Sequence, residues 1–424
     1  MMVATQVSQR NFWIWALSLH LLYLVYALVG GPNLLNDSWE YLRQARNISA
    51  GYLAYCGDLS EPVNYFDFSK RPPLYPFLLW LTGANTFFTG ILLLQNGLSL
   101  FTVYLLRKTL IERGFYHPLW FGVLVSSSVS WFIYVNSIMS EVLLVALVTT
   151  MIYSYHRFLK EGRRWAWVYN CLLALAVFTK PVFFPFVVIN LVFWLIGHRR
   201  QFTAALLPLL LVGVWFVRNR EVTGKAHFSS ISYINLLDYN AYYFNLETRG
   251  VEYAENSSDE AHNRLENLTS FPAKADYMQE TALREMGRSW GTYIWFHIKG
   301  SVRGVLDPGN FDVRTFLGKD DTLGFLKVLN EKGMKGIPEV LGEMPVFYLT
   351  LLMVSFINKL LLLAGILVFL FRRGVDYRWK WALAGLITYV VFITGPINAS
   401  RFMLAVWPAM VLCAMQARPY RAKT

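Results

Sequence analysis

Asp37 lies at the head of the stretch NDSWEYLRQARNI (residues 36–48), with Glu40 one turn later and Tyr41 four residues on. A carboxylate at such a place either caps free backbone N–H groups at a helix start or takes a proton from a hydroxyl as that hydroxyl attacks. Lys70 and Arg71 follow in FDFSKRPPLYPFLLWL (residues 66–81). An arginine there is either a snorkelling anchor at a membrane boundary or a clamp for phosphate, because its guanidinium is a planar fork of donors. The same fork would stabilise negative charge developing on a phosphate leaving group. Glu141 in NSIMSEVLLVAL, Lys180 in FTKPVFF and Arg401 in GPINASRFMLAVWP are further isolated charges at the edges of apolar runs. Ionisable residues in such surroundings are costly and tend to be functional, although Glu141 would serve equally as a helix-start residue. Lys359 differs: it falls within an apolar run, where it either pairs inside a bundle or marks a break.

What must position these residues is a membrane. Only 16% of the 424 residues are charged and 55% are hydrophobic, against about 25% charged in soluble domains. A helix needs about 20 apolar residues to cross the hydrocarbon. On that ruler the fold class is all-α polytopic, with about ten transmembrane helices: Phe12–Val29, Phe87–Leu106, Leu119–Val135, Val142–Tyr155, Trp165–Val182, Phe183–Ile196, Phe202–Val217, Phe347–Phe371, Trp381–Thr394 and Phe402–Met415. The first run lacks a small-residue cleavage site, which predicts a retained span rather than a removable signal. The aromatic stretch Trp290–Ile298 is too short to cross and reads as an interfacial helix.

Charge sets the orientation. With the N-terminus cytoplasmic, RKTLIER, HRFLKEGRR, HRR, FRRGVDYRWK and ARPYRAK all fall on the cytoplasmic side, as the positive-inside rule requires. This accounts for much of the +12 formal charge without nucleic acid, for which no binding module is visible. The chain then divides into a transmembrane module 1–217, carrying a first polar loop at 31–85, an extracytoplasmic loop region 218–344, and closing transmembrane helices 345–424. Both polar segments fall on the face opposite the basic loops. In the first, Trp39, Leu42, Ile48 and Leu53 form one apolar face, with Arg43, Gln44 and Arg46 opposite. In the second, a small helical region is expected, including ADYMQETALREMGRSWGTYIWFHIKGSV.

Three cysteines make no disulfide framework, and the scattered His and Cys lack zinc spacing. Asn47, Asn256, Asn267 and Asn398 match the N-glycosylation triplet, a pattern that arises often by chance. A transporter or flippase would show charged or Gly/Pro-broken centres in paired spans; here most of the charges gather at one face. A lipid-linked glycan polymerase or ligase would use similar lipid donors, and a passive scaffold gives Asp37 and Arg71 no reason to flank one short loop.

The ordered pieces NDSWEYLRQARNI, KRPPLYPFLLWL, MSEVLLVAL, FTKPVFFPF, WFVRNREVTGK with YINLLDYNAYY, and RFMLAVWP together resemble the GT-C superfamily of integral membrane glycosyltransferases. The resembling branch contains protein O-mannosyltransferases and lipid A aminoarabinose transferases. The resemblance implies transfer of a sugar from a polyprenyl-phosphate donor to a lipid, glycan or protein acceptor outside the cytoplasm, with inversion, no metal and no cofactor. It implies Asp37 as catalytic base, Arg71 on the donor phosphate, and Arg401 as a second phosphate ligand. Lys70, Glu141, Lys180, Arg218 and Tyr41 complete the expected substrate-binding set. The implied location is a bacterial inner membrane with the site on its extracytoplasmic face. Ser38 stands where the protein mannosyltransferases carry the second residue of an Asp-Glu pair, and no β-trefoil insert is present. The chain is also short beside the aminoarabinose transferases, leaving no room for their C-terminal soluble domain.

Overall fold

The computed structural model describes residues 2–84, 86–318, 345–397 and 399–417. The triplet at Asn398 and the 319–344 part of the second polar segment lie outside the described residues. The described chain is all-helical apart from two isolated bridges, Asn33 with Ser137 and Tyr55 with Phe68. Its helices are α1 (Met2–Gly30), α2 (Asn36–Ser49), α3 (Leu74–Leu81), α4 (Thr89–Glu112), α5 (Pro118–Ser126), α6 (Val129–Val135), α7 (Glu141–Glu161), α8 (Arg164–Val177), α9 (Phe186–Gly197) and α10 (Phe202–Thr223). A peripheral group follows: α11 (Tyr242–Arg249), α12 (Val251–Glu266), α13 (Phe271–Gly287), α14 (Trp290–Leu306) and α15 (Asn310–Phe316). The chain closes with α16 (Val346–Phe371), α17 (Tyr377–Thr394) and α18 (Trp407–Gln416).

Among the described residues, five helical stretches are long and apolar enough to cross a membrane: Gln9–Gly30, Thr89–Glu112, Glu141–Glu161, Arg199–Thr223 and Val346–Phe371. The expected span Leu119–Val135 is two helices, α5 and α6, bent by 64°. Serines cause the break. Ser127 Oγ and Ser128 Oγ donate back to the carbonyls of Val123 (2.6 Å) and Leu124 (2.8 Å), and Asn358 Nδ2 of α16 reaches the same Leu124 carbonyl at 2.8 Å. Carbonyls released by the kink thereby keep partners, as apolar surroundings require. Among the described residues, length and composition thus carry six spans if the bent pair is one. The remaining expected spans coincide with α8 (14 residues), the shorter apolar segments Pro181–Gly197 and Ser400–Gln416, and α17 (18 residues), which begins with Arg378 and Lys380.

Interhelical bonds fix the direction of the bundle. Gln416 at the end of α18 accepts at Oε1 from Arg113 Nε, just past α4, and from Trp379 Nε1 in the first turn of α17, both at 3.1 Å. Arg113 also lies 3.2 Å from His156 near the end of α7. These helix ends share one face. The start of α7 and the end of α8 therefore lie at the other, joined by Lys180 and Glu141 (2.5 Å), and the polar segments attach there. α7 is the central post: Val142, Val145, Val148, Met151 and Tyr155 are buried on successive faces, as befits a helix surrounded by neighbours. Helices α11–α14 gather around a smaller core of Phe244, Phe271, Met278 and Phe296, while α15 packs Val313 against Val129 and Ile133 of α6 and Tyr348 of α16. The expected interfacial stretch Trp290–Ile298 is the start of the longer α14, which exposes Trp290, Ile294, Trp295 and Ile298 and turns Phe296 and Gly300 inward.

Helix α16 touches α18 so closely at Gly365 that an added Cβ would stand 2.5 Å from Ala414 Cα. Gly365→Val is therefore expected to cost about 1–3 kcal/mol by overpacking. The check is the thermal unfolding of the detergent-solubilised protein, with Leu367→Val on the exposed face of α16 as the control that leaves the transition in place.

Candidate active site

Helix α2 begins at Asn36, and Asp37 is not its cap: Ser38 Oγ takes the Leu35 N–H at 2.9 Å. The Asp37 carboxylate is thereby left for other work. The helix is seated on Ser38, Tyr41, Leu42 and Ala45, the i, i+3, i+4, i+7 stripe. This differs from the sequence expectation. Trp39 is exposed and Gln44 is buried, because Gln44 and Asn47 donate to loop carbonyls at Leu53 (3.1 Å), Tyr55 (2.8 Å) and Gly57 (2.9 Å). Tyr41 is the keystone of the stripe. Its hydroxyl lies 3.0 Å from Ser140 Oγ at the start of α7, and its ring meets Tyr75 edge-on. The Tyr75 hydroxyl donates to Gln95 Oε1 (2.8 Å), and Gln95 Nε2 donates to the carbonyls of Val135 (2.9 Å) and Ser137 (2.8 Å). A continuous chain of bonds thus ties α2 to α3, α4 and the α6–α7 link.

On this frame the charges converge. Arg71 Nη2 donates to Asp37 Oδ1 at 2.7 Å and Arg71 Nε to Glu40 Oε2 at 2.5 Å, while Lys70 Nζ reaches Glu40 Oε1 at 2.7 Å. Arg401 Nη1, from the far end of the chain, lies 3.3 Å from Asp37 Oδ2. The Arg71 guanidinium also rests 5.5 Å from the Tyr41 ring centroid. Beside this group, Lys180 pairs with Glu141, whose Oε2 is buried without a partner. Glu141, Lys180, Arg401 and Phe402 line one small cleft of about 10 Å³. Among the described residues, four cations (Lys70, Arg71, Lys180, Arg401) thus gather with three carboxylates (Asp37, Glu40, Glu141), and a fourth carboxylate, Asp67, acts on Lys70 from nearby. The Asp37 and Arg401 side chains stay 21% and 25% exposed, so a ligand can reach both. Burial pushes the Asp37 carboxyl up, but Arg71, Arg401 and Lys180 outweigh it and hold the group below its ordinary value of 3.8.

The Lys70–Arg71 pair is aimed by its neighbours. Ser69 adopts φ +63°, a left-handed conformation that costs a non-glycine residue energy and needs support. Its N–H donates to the Ala54 carbonyl at 2.8 Å. Its hydroxyl lies 2.8 Å from His227 Nε2, and Ser229 Oγ donates to the Lys70 carbonyl at 2.9 Å. On the other side Pro72 and Pro73 end the loop, and the Leu74 N–H bonds Phe178 O at 3.1 Å. Residues just past α10 therefore hold the basic pair in place.

Seven of the eight candidates, Asp37, Tyr41, Lys70, Arg71, Glu141, Lys180 and Arg401, are brought together. Arg218 stands apart: it donates to Asn219 Oδ1 (2.8 Å) and packs on Trp215 and Phe68. It supports the loop that carries Lys70 rather than joining the charges. Glu40 is the residue whose part sequence reasoning missed. Its spacing of one turn from Asp37 is the signal, since i and i+3 residues share a helix face.

No protein-family profile matches the chain, and no curated protein sequence does. Among solved structures it is similar to the crystal structure of ArnT from Cupriavidus metallidurans bound to undecaprenyl phosphate, at 13% identity and a TM-score of 0.40, over 96% of this chain and 77% of that one.

Because Arg71 is the largest of the charges holding the Asp37 carboxyl down, Arg71→Met is expected to raise that pKa toward and beyond the ordinary carboxylate range. Infrared titration of the carboxyl C=O band, with Arg71→Met/Asp37→Asn as the blank, reads the shift. A band that titrates as in the wild type would disprove the assigned coupling.

Proposed function

We propose that the protein is a glycosyltransferase that moves a sugar from a polyprenyl-phosphate-linked donor to an extracytoplasmic acceptor, with inversion and without a metal. The observation that carries this reading is the partly exposed Asp37 carboxylate caught between Arg71 and Arg401. The ordered sequence motifs supply the donor class. The distribution of basic loops supplies the face, outside a bacterial inner membrane, and the apolar bundle supplies the lipid surroundings for the donor's tail.

In this reading the two arginines change partner. Donor phosphate oxygens compete with the Asp37 carboxylate for the guanidinium forks, for which both are bidentate acceptors. Asp37, relieved of its counter-charges, becomes a stronger base at the moment the donor is in place. An acceptor hydroxyl then attacks the anomeric carbon and its proton passes to Asp37. The bond from that carbon to the phosphate oxygen breaks, and the electron pair leaves with polyprenyl phosphate. The leaving group is a stable phosphate anion, so it needs cations rather than a general acid. Lys70 and Glu40 hold Arg71 in register, and the Lys180–Glu141 pair borders the cleft where the sugar would lie. The acceptor is a lipid, a glycan or a protein with a free hydroxyl.

Two outcomes are expected. Wild type offered radiolabelled polyprenyl-phosphate sugars releases polyprenyl phosphate, and Asp37→Asn loses about 100-fold or more of that turnover while still binding donor. Equal turnover in the two would remove Asp37 as the base. For pH, kcat/KM reports the free enzyme, in which the Asp37 pKa is depressed; its acid limb is expected below the ordinary 3.8. The acid limb of kcat, which reports the donor complex, is expected at higher pH because the arginines have moved to phosphate. Coincident limbs would contradict the exchange of partners.

A further inference from the structure

A second pocket, of about 30 Å³, lies on the other side of the segment that carries Arg401, between α6, α16 and α18. Its chemistry is graded. Ser130, Trp131, Lys359 and Ser400 line one part, and Leu362 and Met410 another. Among the described residues no carboxylate lines it, and the Lys359 ammonium is the charge on its wall. Lys359 stands midway along α16, within a stretch long and apolar enough to span a membrane, where an ionisable residue is expensive and marks a ligand path or a buried pair. Asp307 and Asp312 are near enough to act on it through their fields, yet Lys359 makes no hydrogen bond or close ion pair with either among the described residues. Those carboxylates are already engaged. Asp307 accepts from Gly309 N (2.9 Å) and Ser400 N (2.8 Å), and Asp312 from Tyr134 Oη (3.0 Å) and the Ser400 hydroxyl.

A second observation points the same way. The Trp131 indole is fully buried and its Nε1–H has no partner among the described residues, although Trp407, stacked on it at 5.1 Å, donates its own N–H to Ser128 Oγ at 2.8 Å. Leaving a buried donor unpaired costs about 1–3 kcal/mol, so an orphan on a cavity wall calls for an acceptor inside it. An ammonium and an orphan N–H at one small pocket, flanked by apolar side chains, suit an anionic head whose hydrocarbon tail lies along those side chains.

We propose that this cavity is a second lipid-phosphate site, separate from the Arg71–Arg401 cluster, in which Lys359 and Trp131 hold the phosphate and the chain runs along Leu362 and Met410. The phosphate belongs either to a bilayer phospholipid or to a polyprenyl phosphate. The site stands on its own geometry and does not depend on the transferase reading.

The test is native mass spectrometry of the delipidated full-length protein in neutral detergent, titrated separately with phosphatidylglycerol and with polyprenyl phosphate. Lys359→Met is expected to weaken retention of at least one probe about tenfold or more, the worth of a charge-assisted hydrogen bond, while Lys359→Arg restores it. Trp131→Phe, which removes only the N–H donor and keeps an aromatic ring, is expected to weaken it severalfold and serves if Lys359→Met does not fold. Loss confined to phosphatidylglycerol assigns the site to bilayer lipid, and loss confined to polyprenyl phosphate assigns it to the carrier. Unchanged retention of both probes in Lys359→Met, or in Trp131→Phe where that variant stands in, overturns the proposal.

Discussion

The Asp37 carboxylate between Arg71 and Arg401 is the contact on which the rest of the arrangement depends. It joins the first helix after α1, the loop before α3 and the segment before α18. Such a cluster is expensive to assemble, because each ion gives up water for partners of fixed geometry. The structure meets that cost with a frame of neutral bonds: Tyr41 to Ser140, Tyr75 to Gln95, and Gln95 to the α6–α7 link. A merely stabilising ion pair has no need of an accessible side. Asp37 and Arg401 keep one, and an anion that replaces the carboxylate on the arginines would find the site already aimed.

Much of this was legible in the sequence because charge is rare in it. In a chain this apolar, the isolated Asp37, Arg71, Glu141, Lys180 and Arg401 each stand out at the edge of a hydrophobic run, and all five meet. What the sequence hid was of two kinds. Partnerships of polar residues with backbone are silent in a hydropathy pattern. The helical pattern places Gln44 opposite the apolar face, but loop carbonyls draw it and Asn47 inward. Likewise the α5–α6 break depends on Asn358, more than two hundred residues away, taking a carbonyl that a straight helix would use. The second kind is division of labour among like residues. Arg218 and Arg71 look alike in sequence, and only the folded chain shows that one packs on Trp215 while the other grips two carboxylates.

The segment 400–406 links the two cavities. Arg401 and Phe402 border the first, Ser400, Met403 and Leu404 the second, so ligands in the two would press on opposite sides of one short stretch. Its Ser400 is also the donor that engages Asp307 and Asp312. Any shift of this stretch would therefore move Arg401 relative to Asp37, which places the geometry of the charge cluster within reach of events in the apolar bundle.

The most direct test of the central claim is a binding titration of polyprenyl phosphate, free of any turnover, to wild type, Asp37→Asn, Arg71→Met and Arg401→Met. If the arginines exchange the carboxylate for phosphate, Asp37→Asn binds at least as tightly as wild type, because its competitor is gone. The two arginine variants then bind about tenfold or more weakly, the scale of a lost charge-assisted hydrogen bond. Weakening in Asp37→Asn equal to that in Arg71→Met would show that the carboxylate holds the site together rather than yielding to the donor, and would contradict the account.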